Sequence, residues 1–370
     1  MERDTEGFLY PVVSDKCIHC GKCERVCPVY NPKEYEKSAG IAYAAVSKNA
    51  GIWQRSASGG AFSEICRAWS EEETLYAGAA WDGFQVHHIC VKGFENIEPL
   101  CKSKYIASDI GNTYLCIKEH LDSGGNAVFC GTPCQVAGLR AYLGKEYEKL
   151  LMIDLICHGV GSPFVFAACI KALEKQLGKE IKVYTFRAKR KTHEADYLIK
   201  VTCEDDTEVY MNNDPYCQLF LSQMCLRPSC GKNCIYRSEN RPGDITIADF
   251  KGLVAVFPEL AGTKKNYSTI IFNNQQGQKV LAALQKSMHM RKCSMEAIKE
   301  YNPLFYKHTW FCAERDAFFA DFTSSETVID RWTENAKISK LNWKRAIYDS
   351  LPKKIRFIAS AIVNKVKKNG

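Results

Sequence analysis

The chain has no apolar run near the length needed to cross a membrane, so a helical membrane span is excluded. No G-x-G-x-x-G follows any predicted strand, and an ordinary dinucleotide-binding turn is therefore unsupported. Internal repeats and low-complexity stretches are absent too, which excludes a solenoid or a mainly disordered chain. The first residues, Met1-Glu-Arg-Asp-Thr-Glu-Gly7, are charged and hold no apolar segment. Nothing there reads as a secretory signal, and a cytoplasmic location is expected.

What remains is an ordinary globular composition. The 370 residues are 46% apolar and 25% charged, enough for one large or two ordinary domains. The net charge of +8 is unevenly placed: ten Lys and Arg stand against one acid from Lys337 to Gly370, leaving the rest near neutral. A general nucleic-acid surface is therefore not expected. In that tail Ile355, Ile358, Ala359, Ile362, Val363 and Val366 recur at helical spacing among Lys354, Arg356, Lys365, Lys367 and Lys368. This is a basic amphipathic helix with two open readings: a cap on the protein's own body, or contact with an anionic membrane surface or an acidic partner.

Nineteen cysteines, an odd number, suit reduced thiols and metal ligands better than a disulfide framework. Cys66, Cys90, Cys116, Cys169 and Cys203 fall singly in apolar segments and read as core residues. The run Cys17-Ile-His-Cys20-Gly-Lys-Cys23-Glu-Arg-Val-Cys27-Pro28 is different. Its C-x2-C-x2-C-x3-C-P spacing is that of a bacterial ferredoxin 4Fe-4S site, with structural zinc or disulfides as the alternatives. In two-cluster ferredoxins the fourth cysteine of each run serves the other cluster, and here one run is present. The residues before it resemble the connector between two such runs. Three options stay open: a start that lies mid-domain, an incomplete cluster, or closure by Cys27 or a cysteine of the body.

A second group, Cys225, Cys230 and Cys234, is one ligand short of a tetrahedral set. Cys157, beside His158 at a predicted strand end, is the first choice for the fourth, with Cys134 and Cys217 as alternatives. An iron-sulfur cluster is the leading reading of this group, with zinc and unligated core or loop thiols as the alternatives.

Around these cysteines the pattern is α/β. Buried strands are expected at Ile41 to Val46, Leu75 to Trp81, Val86 to Lys92, Ala127 to Cys130, Leu150 to Ile156 and Tyr267 to Asn273. Helices are expected from Ala61 to Ser70, Asn112 to His120, after Pro133, after Pro163, and from Gly277 to Gln285. The expectation is a mixed α/β fold: a central sheet flanked by helices, a small N-terminal half-ferredoxin segment and a C-terminal helical tail. Its divisions fall at residues 1–36, 40–330 and 331–370. Ligands are expected at the carboxyl ends of the strands. Two clusters imply a route for single electrons, and flavin is the carrier that converts these to hydride. The glycine turns at Gly59-Gly60 and Gly131 are the available cradles.

Four ordered motifs carry a resemblance: Gly131-Thr-Pro-Cys-Gln135, Cys157-His-Gly-Val-Gly-Ser-Pro163, Cys225-Leu-Arg-Pro-Ser-Cys230 and Gly243-Asp-Ile-Thr-Ile-Ala-Asp249-Phe250. Together they resemble the coenzyme F420 hydrogenase/dehydrogenase beta-subunit family over roughly residues 41–273. The resemblance implies FAD, one or two 4Fe-4S clusters and hydride exchange with a deazaflavin or another acceptor. It implies that Ser58, Gly59, Gly60, Lys104, Tyr105, Gly131, Thr132, Pro133, Cys134 and Gln135 line the flavin site. It further implies that Cys157, Cys225, Cys230 and Cys234 hold the inner cluster, with Cys17, Cys20, Cys23 and Cys27 in the outer segment. The expected function is an iron-sulfur flavoprotein oxidoreductase working between a ferredoxin or other redox partner protein and a hydride carrier or small-molecule substrate. The alternatives are a relay subunit serving a separate catalytic partner, in a setting such as polysaccharide biosynthesis, and a zinc-binding scaffold without redox activity.

Overall fold

In the computed structural model the described residues are 1–35, 40–189, 198–231, 234–306, 312–322 and 329. The basic tail, residues 331–370, lies outside them. Thirteen strands are described: β1 Glu2–Arg3, β2 Leu9–Tyr10, β3 Ile41–Ser47, β4 Leu75–Asp82, β5 Gln85–Lys92, β6 Ala127–Cys130, β7 Leu150–Leu155, β8 Ile181–Ala188, β9 Leu198–Cys203, β10 Glu208–Met211, β11 Ile245–Asp249, β12 Ser268–Phe272 and β13 Met288–Cys293. Eight of them form the central sheet in the order β13-β3-β12-β11-β7-β6-β4-β5. The middle four, β11, β7, β6 and β4, are parallel, and antiparallel strands extend both sides.

Side chains on these parallel strands alternate between two buried faces, because the strand period is two residues. Tyr76, Val128, Leu151 and Ile153 face helix Ala61–Trp69 and helix Leu281–Ser287. Leu75, Ala77, Ala127, Phe129, Leu150 and Met152 face helices Thr113–Asp122 and Pro133–Leu143. A sheet covered on both faces has only its strand ends free for chemistry.

The second layer is helix Pro163–Leu177 with the antiparallel sheet β10-β9-β8 and helix Pro215–Leu221. Ser162 caps the long helix, accepting from Val165 N–H at 3.2 Å, and Pro163 occupies its first turn at no hydrogen-bond cost. Aromatic edges fill this layer: Phe166 meets Tyr184 at 5.1 Å and Tyr216 at 4.9 Å between ring centroids. Cys66, Cys169 and Cys203 are buried; Cys90 and Cys116 are half-buried against one apolar cluster. No helix among the described residues is long and apolar enough to cross a membrane.

Candidate iron-sulfur and strand-end site

The Cys17 to Cys27 segment turns through two left-handed residues, His19 at φ 52° and Gly21 at φ 65°. The turn aims the His19 N–H at Cys17 Sγ, 3.4 Å away. Gly21 then opens helix Lys22–Val26, so that Cys23 and Cys27 bracket one helical turn. Cys20 and Cys23 are exposed, whereas Cys17 and Cys27 are half-buried.

Two arginines fasten this segment to the body. Arg227 donates to the Leu9 carbonyl at 2.9 Å and lies 4.3 Å from the centroid of the Tyr10 ring. Arg315 pairs with Glu6 while donating to the Leu226 carbonyl at 2.7 Å. Both contacts join the N-terminal hairpin to the Cys225–Cys230 loop.

At the carboxyl ends of the parallel strands four thiols come within electrostatic reach of one another. Burial, and then the thiols of Cys230, Cys134 and Cys234, hold the Cys157 thiol far above its ordinary range. Burial, then Cys134 and Cys234, push Cys230 up to about 12. Thiols so disfavoured as free thiolates ionise when a metal takes the proton's place. Cys225 stands apart. It is fully buried in the aromatic layer, beside Tyr216 and Cys217, and burial is the main cause that pushes its thiol up to about 12.

No three His, Cys, Asp or Glu side chains among the described residues converge at the spacing of a single ion. Zinc would draw its sulfurs to about 4 Å apart, given a Zn–S bond of about 2.3 Å. A cubane, in which each thiolate binds its own iron, suits a wider set of four. Four thiolate donors are a set that either an iron-sulfur cluster or zinc can use.

The loops bearing these thiols are cross-tied. Arg237 donates to the carbonyls of His158 at 2.8 Å and Cys230 at 2.9 Å. Arg241 donates to the carbonyls of Tyr236 at 2.9 Å and Leu155 at 2.6 Å, and pairs with Asp154. Tyr236 also bridges the two cysteine groups: burial, then Tyr35, Cys134, Cys234 and Cys27, hold its phenol above its ordinary range. Cys27 of the N-terminal run, Cys134 and Cys234 thus all lie within electrostatic reach of Tyr236.

Among the expected flavin residues, Ser58 and Gly59 are committed to packing. Ser58 Oγ donates to the Tyr267 carbonyl at 2.8 Å, and Gly59 N–H donates to Ser268 Oγ at 2.9 Å. Gly60, at φ 94°, starts helix Ala61–Trp69. Lys104 donates to the carbonyls of Pro99 at 2.8 Å and Cys101 at 2.7 Å, and burial pushes it down to about 8. Tyr105 stacks on Phe220 at 5.0 Å, and its hydroxyl accepts from Arg187 at 3.2 Å. Gly131 and Pro133 are buried in the turn after β6, and Thr132 and Gln135 bond one another there.

Two residues that no sequence motif marks, Arg187 and Lys189, complete this end of the sheet. Arg187 makes a bidentate pair with Asp249, 2.7 Å through each nitrogen, and also reaches the Ala57 carbonyl at 3.3 Å. Lys189 donates to the carbonyls of Trp53 at 2.7 Å and Ser58 at 2.6 Å, and burial pushes it down to about 7. Lys104 and Lys189 are both held by carbonyls, and neither pairs with a carboxylate among the described residues. The only sequence signal for Arg187 and Lys189 was a basic residue at each end of Ala188, where a strand should finish.

Residues 125–299 match the family model for the C-terminal part of the coenzyme F420 hydrogenase/dehydrogenase beta subunit, and residues 10–31 match a 4Fe-4S binding domain. Over the first of these stretches, a little under half of its length, the chain is similar to that beta-subunit family. Its family segment spans β6 to helix Met295–Tyr301, and so includes Cys134, Cys157, Cys230 and Cys234. A chain of the F420-reducing [NiFe] hydrogenase complex from Methanosarcina barkeri, in a xenon-derivatized structure, is similar at 15% identity and a TM-score of 0.48. That match covers 73% of this chain and 90% of the other. No curated protein matches.

Proposed function

We propose that the chain is an iron-sulfur flavoprotein component of a redox enzyme, passing electrons between a ferredoxin or similar donor and a hydride carrier, a coenzyme F420-like deazaflavin or an organic substrate. The observation that carries this is the set of Cys134 and Cys157, after the carboxyl ends of β6 and β7, with Cys230 and Cys234 within electrostatic reach of them, and Cys27 close to the Tyr236 that they share. Similarity to a hydrogenase-related family and the 4Fe-4S segment support it. The first 36 residues act as the outer electron-carrying unit and residues 40–330 as the flavin and inner-cluster body.

FAD, when bound, supplies the interchange between one-electron and hydride chemistry. Lys104 and Lys189 fit its anionic part: two desolvated ammonium groups held by carbonyls, with no carboxylate partner among the described residues, leave positive charge for a pyrophosphate to offset, whereas Arg187 is already paired with Asp249. Tyr105 and the Gly131 to Gln135 turn border the same end of the sheet. The test is anaerobic purification followed by iron, sulfide and flavin analysis and a visible spectrum. Reduction is then tried with ferredoxin, nicotinamides and the deazaflavin in turn. Zinc without iron, sulfide or a flavin band would contradict the proposal.

A relay role toward a separate catalytic partner is the second reading. Ile18, Val29 and Tyr30 are 84%, 72% and 77% exposed beside the exposed Cys20 and Cys23, a surface suited to a protein partner. Flavin-free protein that still passes electrons from ferredoxin to an acceptor would favour the relay.

A further inference from the structure

The turn after β6 carries a chain of polar contacts that ends on a cysteine. Thr132 Oγ1 lies 3.1 Å from Cys134 Sγ and 2.9 Å from Gln135 Oε1. The hydroxyl has one proton for these two acceptors. Gln135 Oε1 already accepts the Thr132 backbone N–H at 2.9 Å, so it stays satisfied when the hydroxyl proton turns to sulfur. A thiolate on iron is the stronger acceptor of the two.

The glutamine is itself held. Its Nε2 donates to Ser108 Oγ at 3.2 Å, and Ser108 Oγ shares a hydrogen bond with His88 Nδ1 at 2.6 Å. His88 is 7% exposed and lies 5.6 Å from the Phe129 ring, centroid to centroid, so the series is anchored in the core. The Tyr114 hydroxyl fixes the other side, donating to the Gln135 carbonyl at 2.6 Å.

We propose that the Thr132 hydroxyl donates to the Cys134 sulfur and raises the midpoint potential of the cluster there, with Gln135, Ser108 and His88 in series as its positioning residues. The proposal rests on Cys134 being a cluster ligand. A hydrogen bond to sulfur favours the more negative, reduced cluster, so losing it lowers the potential.

The test is an EPR-monitored redox titration of full-length protein, following the signal that survives replacement of Cys17, Cys20 and Cys23. Thr132→Val should move the midpoint to lower potential with iron content unchanged. Thr132→Ser should keep the parent value, and Ser108→Ala should shift it in the same direction by less. An unchanged midpoint in Thr132→Val, or equal shifts in the valine and serine variants, would overturn the proposal. If the valine variant does not fold, Ser108→Ala decides alone, and a parent midpoint there counts against it. Failure of the underlying cluster reading looks different: the parent then shows no such signal, and the inference falls with it.

Discussion

Arg241 and Asp154 form an ion pair inside the protein, 2.7 Å apart and 1% and 0% exposed, directly behind the cysteine loops. Asp154 also accepts from Thr246 Oγ1 at 2.7 Å and Gly243 N–H at 3.0 Å, so its carboxylate is well served. Arg241 spends its remaining donors on the Tyr236 and Leu155 carbonyls, tying the loop after Cys234 to the strand that leads to Cys157. Removing one partner leaves the other charge buried. Arg241→Met is expected to cost about 3–5 kcal/mol in denaturant unfolding and to lower iron retention. A loss below about 1 kcal/mol would mean that water reaches the pair.

Gly59 is a packing glycine. A Cβ there would stand 2.2 Å from the Ala45 carbonyl oxygen and 2.5 Å from Ser268 N, both backbone atoms of the central sheet. Gly59→Ala should therefore destabilise by about 2 kcal/mol or more, because neither strand can move aside cheaply. Thermal unfolding of the variant checks this, and an unchanged Tm would show that the loop adapts.

His88 makes the fold acid-sensitive. Burial pushes its pKa from 6.5 down to about 4, so the unfolded chain binds a proton more readily than the folded one. Its contribution is complete above about pH 6.5 and is lost as pH falls from there toward 4. At about 1.4 kcal/mol per pKa unit it amounts to about 3 kcal/mol. His88→Gln should flatten the fall in stability over that window, as followed by denaturant midpoints from pH 7 to pH 4. An identical slope in both proteins would contradict the assignment.

The central sheet was legible because its strands are short apolar runs bounded by glycine turns, as in Ala127 to Cys130 before Gly131. The edge strand Met288–Cys293 escaped notice, since His289, Arg291 and Lys292 interrupt its apolar pattern where solvent covers it. The helix expected from Gly277 to Gln285 is instead two short helices, Gln275–Gln278 and Leu281–Ser287. The cysteine sets show a different limit. Spacing along the chain grouped Cys225 with Cys230 and Cys234, and it gives no sign that the turns after β6 and β7 bring Cys134 within electrostatic reach of Cys157 and Cys230, the set proposed to hold the cluster. Arg241 gave no local pattern, and Arg187 and Lys189 only a basic residue on each side of Ala188, because the partners of all three come from distant segments.

That grouping has a direct consequence for single replacements. Cys134→Ala should reduce the iron and sulfide bound by the body of the protein, while Cys225→Ala should leave both near the parent value. The latter removes only a small buried side chain, at about 1 kcal/mol of packing. Iron loss in Cys225→Ala with retention in Cys134→Ala would reverse the assignment.

The most direct measurement is Mössbauer and EPR spectroscopy, with iron and sulfide analysis, on anaerobically reconstituted full-length protein in which Cys17, Cys20 and Cys23 are alanine. The account predicts one 4Fe-4S cluster, held by Cys134, Cys157, Cys230 and Cys234. A preparation that binds zinc, or that holds no iron once the N-terminal cysteines are gone, would contradict it.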